Sequence, residues 1–230
     1  MSAEKNMSVE IKLGKTEPIR VLSFENESVN SLFLPKIKES YDELRILLPH
    51  LPEIMNVEFG TNYDYGEDGV TGSALSPDSM KIGIRIDQED RTSQFARIGP
   101  VVKHEGYHIG QGFYNSSPCS ALEAAISEGC ATIFERDYLG SNPRWADYSM
   151  HDEKTLQHWL DEIKTITADQ YFEPSGETWR KWAFYDAETG ASWRVYKTGT
   201  WLVEEVMRKT GFNALELNRL SADEIMSHLA

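Results

Sequence analysis

The sequence predicts an α+β fold in which a small N-terminal β-sheet is followed by a mainly helical half. Short β-branched and apolar segments separated by turn residues fill the first part of the chain. From residue 100 onward the apolar residues recur with helical period. No repeat or linker interrupts the sequence, so we expect a single domain over 1–230, with a sheet-rich lobe at 1–95 and a helical lobe at 96–230.

The N-terminal third supplies the predicted strands and one helix. The segments VEIKL and IRVLSF, around Gly14 and Pro18, indicate two paired strands. SLFLPKIKESYDELRILLPHL then carries one apolar stripe of helical period that ends at Pro49. Two further strands are predicted in IMNVEFG and MKIGIRI.

The segment TNYDYGEDGVTGSALSPDS, between these last two strands, is predicted to be a loop because it is rich in glycine, serine and acidic residues. Its Asn62, Asp64 and Asp68 could suggest a calcium site. An EF-hand loop that starts at Asn62 needs glutamate at its twelfth position, where this chain has Ser73. We therefore expect a solvated turn.

Helix signals dominate the second half. Pro100 suits the first turn of a helix over 101–110, which Gly110 and Gly112 would end. In SALEAAISEGCATIFERDYLG, the spacing of Ser120 and Glu123 predicts a capping box at the start of a long helix that Gly140 would close.

Three more helices follow in the prediction. Two lie in DEKTLQHWLDEIKTI and ASWRVYKTGTWLVEEVMRKTG, and a short one begins at Ser221, where Glu224 completes another capping box.

Charge and composition exclude several classes of protein. The formal net charge of −14 disfavours binding to nucleic acid and to anionic membranes. The first 15 residues lack an apolar signal core, and no segment has the roughly 20 apolar residues that span a bilayer, so we expect a cytoplasmic protein. Cys119 and Cys130 form no redox or zinc-ribbon pattern and are expected to be reduced packing residues.

The segment HEGYH carries the strongest chemical signal. Residues four apart share one helix face, so His104 and His108 can converge on one metal ion. Glu105 is rotated by roughly 100° from His104, which lets it flank that ion as a general base without binding it.

A third ligand is expected from the next helix. Glu128 lies twenty residues after His108, beyond a turn, on a helix that can pack back against the helix that carries the histidines. Two histidines and a carboxylate that leave one position for water make a catalytic rather than a structural zinc site, with one zinc ion per chain. Glu123 and Glu135 compete for this role, but Glu123 already serves as a capping residue and Glu135 lies two turns further on.

These motifs resemble those of the gluzincins, in which a glutamate on the helix after HExxH is often part of an E-G-x-A string, as in Glu128-Gly129-Cys130-Ala131. More closely, the chain resembles a bacterial family of predicted zinc-dependent proteases, from GVTGSALSPDSMKIGI to RVYKTGTWLVEEVMRKTG. The resemblance implies a zinc-dependent peptidase acting on peptides or proteins. One departure is Thr132, where the thermolysin branch has an aspartate, so any acid that orients a ligand histidine must come from elsewhere.

The resemblance also suggests how the developing oxyanion is stabilised. Metalloproteases recruit a tyrosine, histidine or arginine for this purpose, and Tyr196 is our first candidate, with Arg194 second. Gly199, one turn after Tyr196, indicates close approach to another element, although a core tyrosine is the simpler interpretation. MKIGIRI is the strand that we expect to pair with an extended substrate.

Two other functions remain open from the sequence. The scaffold could hold zinc in a non-proteolytic binding or regulatory protein, although such a protein would not need Glu105. It could also hydrolyse a non-peptide amide or ester.

Overall fold

The computed structural model describes residues 9–10, 19–23, 27–61, 69–85, 91–115 and 118–229. Its strands, in chain order, are β1 (Val9–Glu10), β2 (Ile19–Ser23), β3 (Met55–Thr61), β4 (Val70–Ser76) and β5 (Ser79–Ile84). They form one mixed sheet in the order β1-β2-β3-β5-β4. The outer pairs β1/β2 and β4/β5 are antiparallel, whereas β2/β3 and β3/β5 are parallel.

Helix α1 (Glu27–Leu47) connects the parallel strands β2 and β3. The predicted apolar stripe at 34, 37, 41, 44, 47 and 48 is buried at four positions, since Ile37, Tyr41, Leu44 and Leu48 are at most 1% exposed, whereas Leu34 and Leu47 are half-buried. Phe33, outside that stripe, is also fully buried. The ring of Phe33 lies 6.0 Å from that of Phe59 on β3. The Tyr41 hydroxyl donates a hydrogen bond to the Pro52 carbonyl oxygen at 2.7 Å.

The prediction of a loop over TNYDYGEDGVTGSALSPDS is wrong for its second half. Val70–Ser76 forms β4, which pairs with β5 from Val70↔Ile84 to Ser76↔Ser79. Small residues in β4 have weak strand propensity, but pairing with β5 supplies the hydrogen-bonding partners. The calcium-like cluster Asn62, Asp64 and Asp68 lies outside the described residues.

Helix α2 (Thr92–Gln111) begins earlier than the sequence indicated. Pro100, expected in its first turn, lies inside it. The extra turns are anchored by Gln94, which is fully buried and donates hydrogen bonds to the carbonyl oxygens of Arg85 at 2.7 Å and Gly69 at 3.2 Å. These partners are distant in sequence, so local helix-start signals could not reveal them.

After α2 the described chain is mainly helical. Its helices are α3 (Ala121–Leu139), α4 (Glu153–Ile163), α5 (Ala168–Tyr171), α6 (Glu177–Ala183), α7 (Arg194–Thr210), α8 (Ala214–Leu217) and α9 (Ala222–Ser227). The α+β class is therefore confirmed. The core contains Cys119, Ala121, Ala124, Ala125, Leu156, Trp159, Ile163, Tyr171, Trp182 and Val195.

The predicted caps are confirmed at both ends of α3. Ser120 and Glu123 form a reciprocal capping box, and Gly140 adopts the left-handed conformation at φ 65°. Ser221 and Glu224 form a second capping box at the start of α9.

The chain divides into two compact units, residues 1–109 and 110–230. The sheet, α1 and most of α2 belong to the first unit, and α3 to α9 belong to the second. The single domain expected over 1–230 stays a prediction. In the part of the chain described here, every helix is too short or too polar to cross a bilayer.

Candidate metal centre

The two motif histidines lie one turn apart on α2, and both are buried. His104 is 8% exposed and His108 is 3% exposed. Their Nε2 atoms are 3.1 Å apart, and their rings meet edge to face with centroids 4.8 Å apart. Both nitrogens therefore face a common point, as the spacing of four residues predicts.

The two residues after His104 face different parts of the fold: Glu105 faces β4, and Gly106 faces α1. Glu105 is 9% exposed, and its side chain lies against β4 at Gly72. A Cβ atom at Gly106 would lie 2.2 Å from Leu44 Cδ2, so glycine at this position admits the α1 side chain. The motif thus has three distinct faces, of which one carries the histidine nitrogens, one holds the carboxylate beside β4 and one packs on α1.

Glu128 lies in the second turn of α3 and is half-buried. The competing carboxylates have other partners. Glu123 Oε2 accepts hydrogen bonds from the Ser120 main-chain N–H at 2.6 Å and from its hydroxyl at 2.8 Å. Glu135 is fully buried and accepts a hydrogen bond from the Ser141 hydroxyl at 2.5 Å. Glu123 and Glu135 therefore have structural contacts of their own within the second half of the chain.

The ligand atoms of His104, His108 and Glu128 all lie within 4.8 Å of one another. Two nitrogens bound at about 2.0–2.1 Å to one tetrahedral ion lie roughly 3.3 Å apart, close to the spacing of the two histidine nitrogens. The donor set of two imidazoles and one carboxylate is also one that zinc accepts with a position left open. The residues therefore fit a zinc ion.

Two buried groups lie in the surroundings of Glu128. Burial, followed by the charges of Glu123 and Glu128, raises the pKa of the Cys119 thiol to about 12. Burial, followed by the charge of Glu128, raises the pKa of the Tyr171 hydroxyl above its usual range. Both groups therefore stay protonated near neutral pH, so neither of them places a negative charge beside Glu128.

Glycines bring α7 against α3 next to Glu128. A Cβ atom at Gly199 would lie 1.7 Å from the Ala125 carbonyl oxygen, and one at Gly129 would lie 2.3 Å from the Gly199 carbonyl carbon. The close approach predicted from Gly199 is confirmed. Tyr196 lies one turn earlier on α7 and is half-buried, and its part in catalysis stays a prediction.

Arg194, the second candidate for the oxyanion, has a structural setting. It is 3% exposed, its Nη2 lies 2.9 Å from Asp186 Oδ2, and its guanidinium stacks 3.6 Å from the centre of the Trp182 ring. Burial lowers the pKa of Arg194, which the charge of Asp186 opposes. These contacts give the Arg194 guanidinium a structural role, and its part in catalysis stays a prediction.

The strand expected to pair with substrate is corrected by the sheet order. MKIGIRI contributes β5, which is paired on both sides, with β3 and with β4. β4 is the edge strand at this end of the described sheet. β5 was chosen because it is the last strand before the metal helix. In the sheet, however, β5 lies between β3 and β4, and β4 lies at the edge.

Two further features of the site were missed from the sequence. Gly72 lies against Glu105, and the only local signal is a glycine within a strand, which often marks close approach of another group. The Ser127 hydroxyl donates a hydrogen bond to Gln111 Oε1 at 2.8 Å, joining the end of α2 to the residue before Glu128. No local pattern predicts such a pair.

Comparison with known proteins gives one family. Neither the curated proteins nor the solved structures include a match to this chain. The family model DUF2268, described as predicted Zn-dependent protease, matches residues 28–227. The match covers the sheet strands from β3 onward, the HEGYH helix and Glu128, and the chain belongs to this family of predicted zinc-dependent proteases.

Proposed function

We propose that this protein is a zinc-dependent peptidase that hydrolyses amide bonds of peptides or proteins. The observation that carries the proposal is the cluster of His104, His108 and Glu128 with the buried carboxylate of Glu105 next to it in sequence. A binding protein that only held zinc would not need that carboxylate. The name of the family supports the same reaction class.

His104, His108 and Glu128 would hold one zinc ion per chain. When bound by three protein ligands, zinc acts as a Lewis acid and lowers the pKa of a coordinated water to about 7. Glu105 takes a proton from the attacking water and delivers it to the nitrogen of the leaving amine. Tyr196 donates a hydrogen bond to the carbonyl oxygen as negative charge develops on it.

The sheet offers a way to bind an extended substrate. β4 is an edge strand of the described sheet, and its Gly72 lies against the side chain of Glu105. A peptide that pairs with this edge would form main-chain hydrogen bonds close to the general base. A peptide is therefore a better substrate for this site than a small ester or amide that lacks a main chain to pair.

The test of the proposal combines zinc analysis with peptide cleavage. The parent protein, Glu105→Gln and the exposed control Glu53→Gln are analysed for metal and incubated with a mixture of unstructured peptides, followed by mass spectrometry. We expect close to one zinc per chain in all three proteins. Cleavage should fall by about 100-fold or more in Glu105→Gln alone, the typical loss for a general base.

Each other result has a definite meaning. Parent protein that binds no zinc refutes the metal site, and zinc without cleavage makes the chain a non-proteolytic zinc-binding protein. Cleavage by Glu105→Gln at the parent rate refutes the role of Glu105. His104→Ala and Glu128→Gln should lose zinc, whereas the capping residue variant Glu123→Gln should keep it and distinguishes between the two glutamates.

A further inference from the structure

The side chain of Glu105 lies against β4 at Gly72. A Cβ atom added at Gly72 would lie 2.4 Å from Glu105 Cγ and 2.6 Å from Oε1. It would also lie 2.7 Å from Val101 Cγ1, one turn earlier on α2. Real Cβ atoms essentially never approach other atoms within 3.0 Å, so every other residue type at position 72 would require a displacement.

Space, and not backbone conformation, accounts for glycine at this position. Gly72 is absent from the described glycines with positive φ, which include Gly69 and Gly112. It lies within β4, paired opposite Ile82, which is fully buried. In an ordinary strand conformation an alanine would normally be preferred, because glycine weakens a strand by its greater conformational entropy.

The strand and the helix are both fixed at the contact. β4 is held by its antiparallel pairing with β5, and α2 is packed on α1 where Leu44 meets Gly106. An added methyl group at position 72 therefore has only the Glu105 and Val101 side chains to displace. Glu105 is the side chain of the two with more ways to respond, because it has three rotatable bonds and Val101 has one.

We propose that Gly72 is a positioning residue that holds the Glu105 carboxylate in its catalytic orientation. The inference rests on the proposed function, since it gives Gly72 a role only if Glu105 is the general base. The main chain of β4 forms the wall against which the Glu105 side chain lies. Removal of that space turns the carboxylate away while the metal ligands stay in place.

The test is Gly72→Ala in the full-length zinc-loaded protein, with Gly99→Ala as the matched control. Gly99 lies on α2, and its added Cβ would meet Ser40 Oγ at 3.2 Å, away from Glu105. For Gly72→Ala we expect kcat to fall by about 100-fold. KM should change less than threefold and the zinc content should stay at the parent value. Gly99→Ala should keep the parent kcat and zinc content.

A second variant covers the case in which Gly72→Ala binds no zinc or does not fold. Gly72→Ala with Val101→Ala removes the contact to valine and leaves the contact to Glu105. It is judged by the same criteria of kcat, KM and zinc content. The reference for Gly72→Ala is the parent, and the reference for the double variant is Val101→Ala alone. In a folded variant with parent zinc content, a kcat within threefold of that reference overturns the inference. Failure of the proposed function is recognised separately, because Glu105→Gln would then cleave as well as the parent.

Discussion

Gly199 lies against the main chain of α3 at Ala125, so closely that a Cβ atom would be 1.7 Å from the Ala125 carbonyl oxygen. The neighbouring Gly129 completes the contact, since its own Cβ would lie 2.3 Å from the Gly199 carbonyl carbon. Both contacts are with main-chain atoms, which no side-chain rotation can relieve. The two glycines therefore set the separation of α3 and α7 immediately beside Glu128.

We predict that Gly199→Ala lowers the free energy of unfolding by at least about 2 kcal/mol, in the range of overpacking substitutions. It should also weaken zinc binding, because α3 carries Glu128. Urea denaturation and competition with a zinc chelator measure the two effects. Gly140→Ala is the control: its φ is 65° and no atom lies within 4 Å of the added Cβ, so it carries only the conformational cost. Equal losses in both variants would contradict the prediction.

Helix boundaries that depend on neighbouring residues were predicted correctly, whereas those that depend on distant segments were not. The limits of α3 were predicted correctly because Ser120, Glu123 and Gly140 act on the turns next to them. The predicted start of α2 was wrong because it depends on hydrogen bonds from Gln94 to the carbonyl oxygens of Arg85 and Gly69. Hydrogen bonds between distant segments leave no local signal.

The candidate site shows the same division. His104, Glu105 and His108 were found from the spacing within one helix, which fixes a common face. Glu128 was selected by elimination and by the resemblance, and its ligand atom lies within 4.8 Å of those of both histidines. Gly72 was missed because its significance depends on a strand that the sequence presents as a loop. The tyrosine candidate Tyr196 still depends on the experiment.

Both cysteines should be unreactive in the native protein. Cys119 is 6% exposed and Cys130 is fully buried. Burial, followed by the charges of Glu123 and Glu128, raises the pKa of Cys119 to about 12, so its thiol is protonated at pH 8. Only the thiolate reacts with thiol reagents. We expect Ellman's reagent to modify neither cysteine within minutes at pH 8 and to modify two thiols per chain in urea. Rapid reaction before urea is added would contradict this burial.

The buried pair of Asp186 and Arg194 should make stability depend on acid pH. Burial opposes the charge of Asp186, but hydrogen bonds from the Thr189 hydroxyl and the Glu188 main-chain N–H, with the charge of Arg194, hold the pKa of Asp186 below its ordinary value. The folded pKa is thus below the unfolded value of about 3.9. The pair therefore stabilises the fold above about pH 4, and this contribution is lost as the pH falls through the folded pKa.

Asp186→Asn should lower the free energy of unfolding at pH 7 by about 3 kcal/mol, because Arg194 is left buried without its closest anion. The loss should shrink as the pH falls below 4, because the unfolded parent then binds a proton at Asp186 that the folded state resists. Urea denaturation at pH 7 and pH 3.5 measures both values. Glu188→Gln, at an exposed partner of Lys181, should show no such pH-dependent difference. An equal loss at both pH values for Asp186→Asn would show that its charge is not responsible.

The hydrogen bond from the Ser127 hydroxyl to Gln111 should contribute to zinc affinity. Ser127 is 5% exposed and precedes Glu128, and Gln111 ends the helix that carries His108. Ser127→Ala removes the donor, with a net cost of about 1 kcal/mol. Because the bond restrains the two segments that bear ligands, we expect about a fivefold loss in zinc affinity, measured by chelator competition. Ser227→Ala removes a serine hydrogen bond to the Glu224 carbonyl oxygen in an exposed helix end, and it should leave zinc affinity unchanged. If Ser127→Ala lost stability but kept the parent zinc affinity, the bond would serve the fold alone.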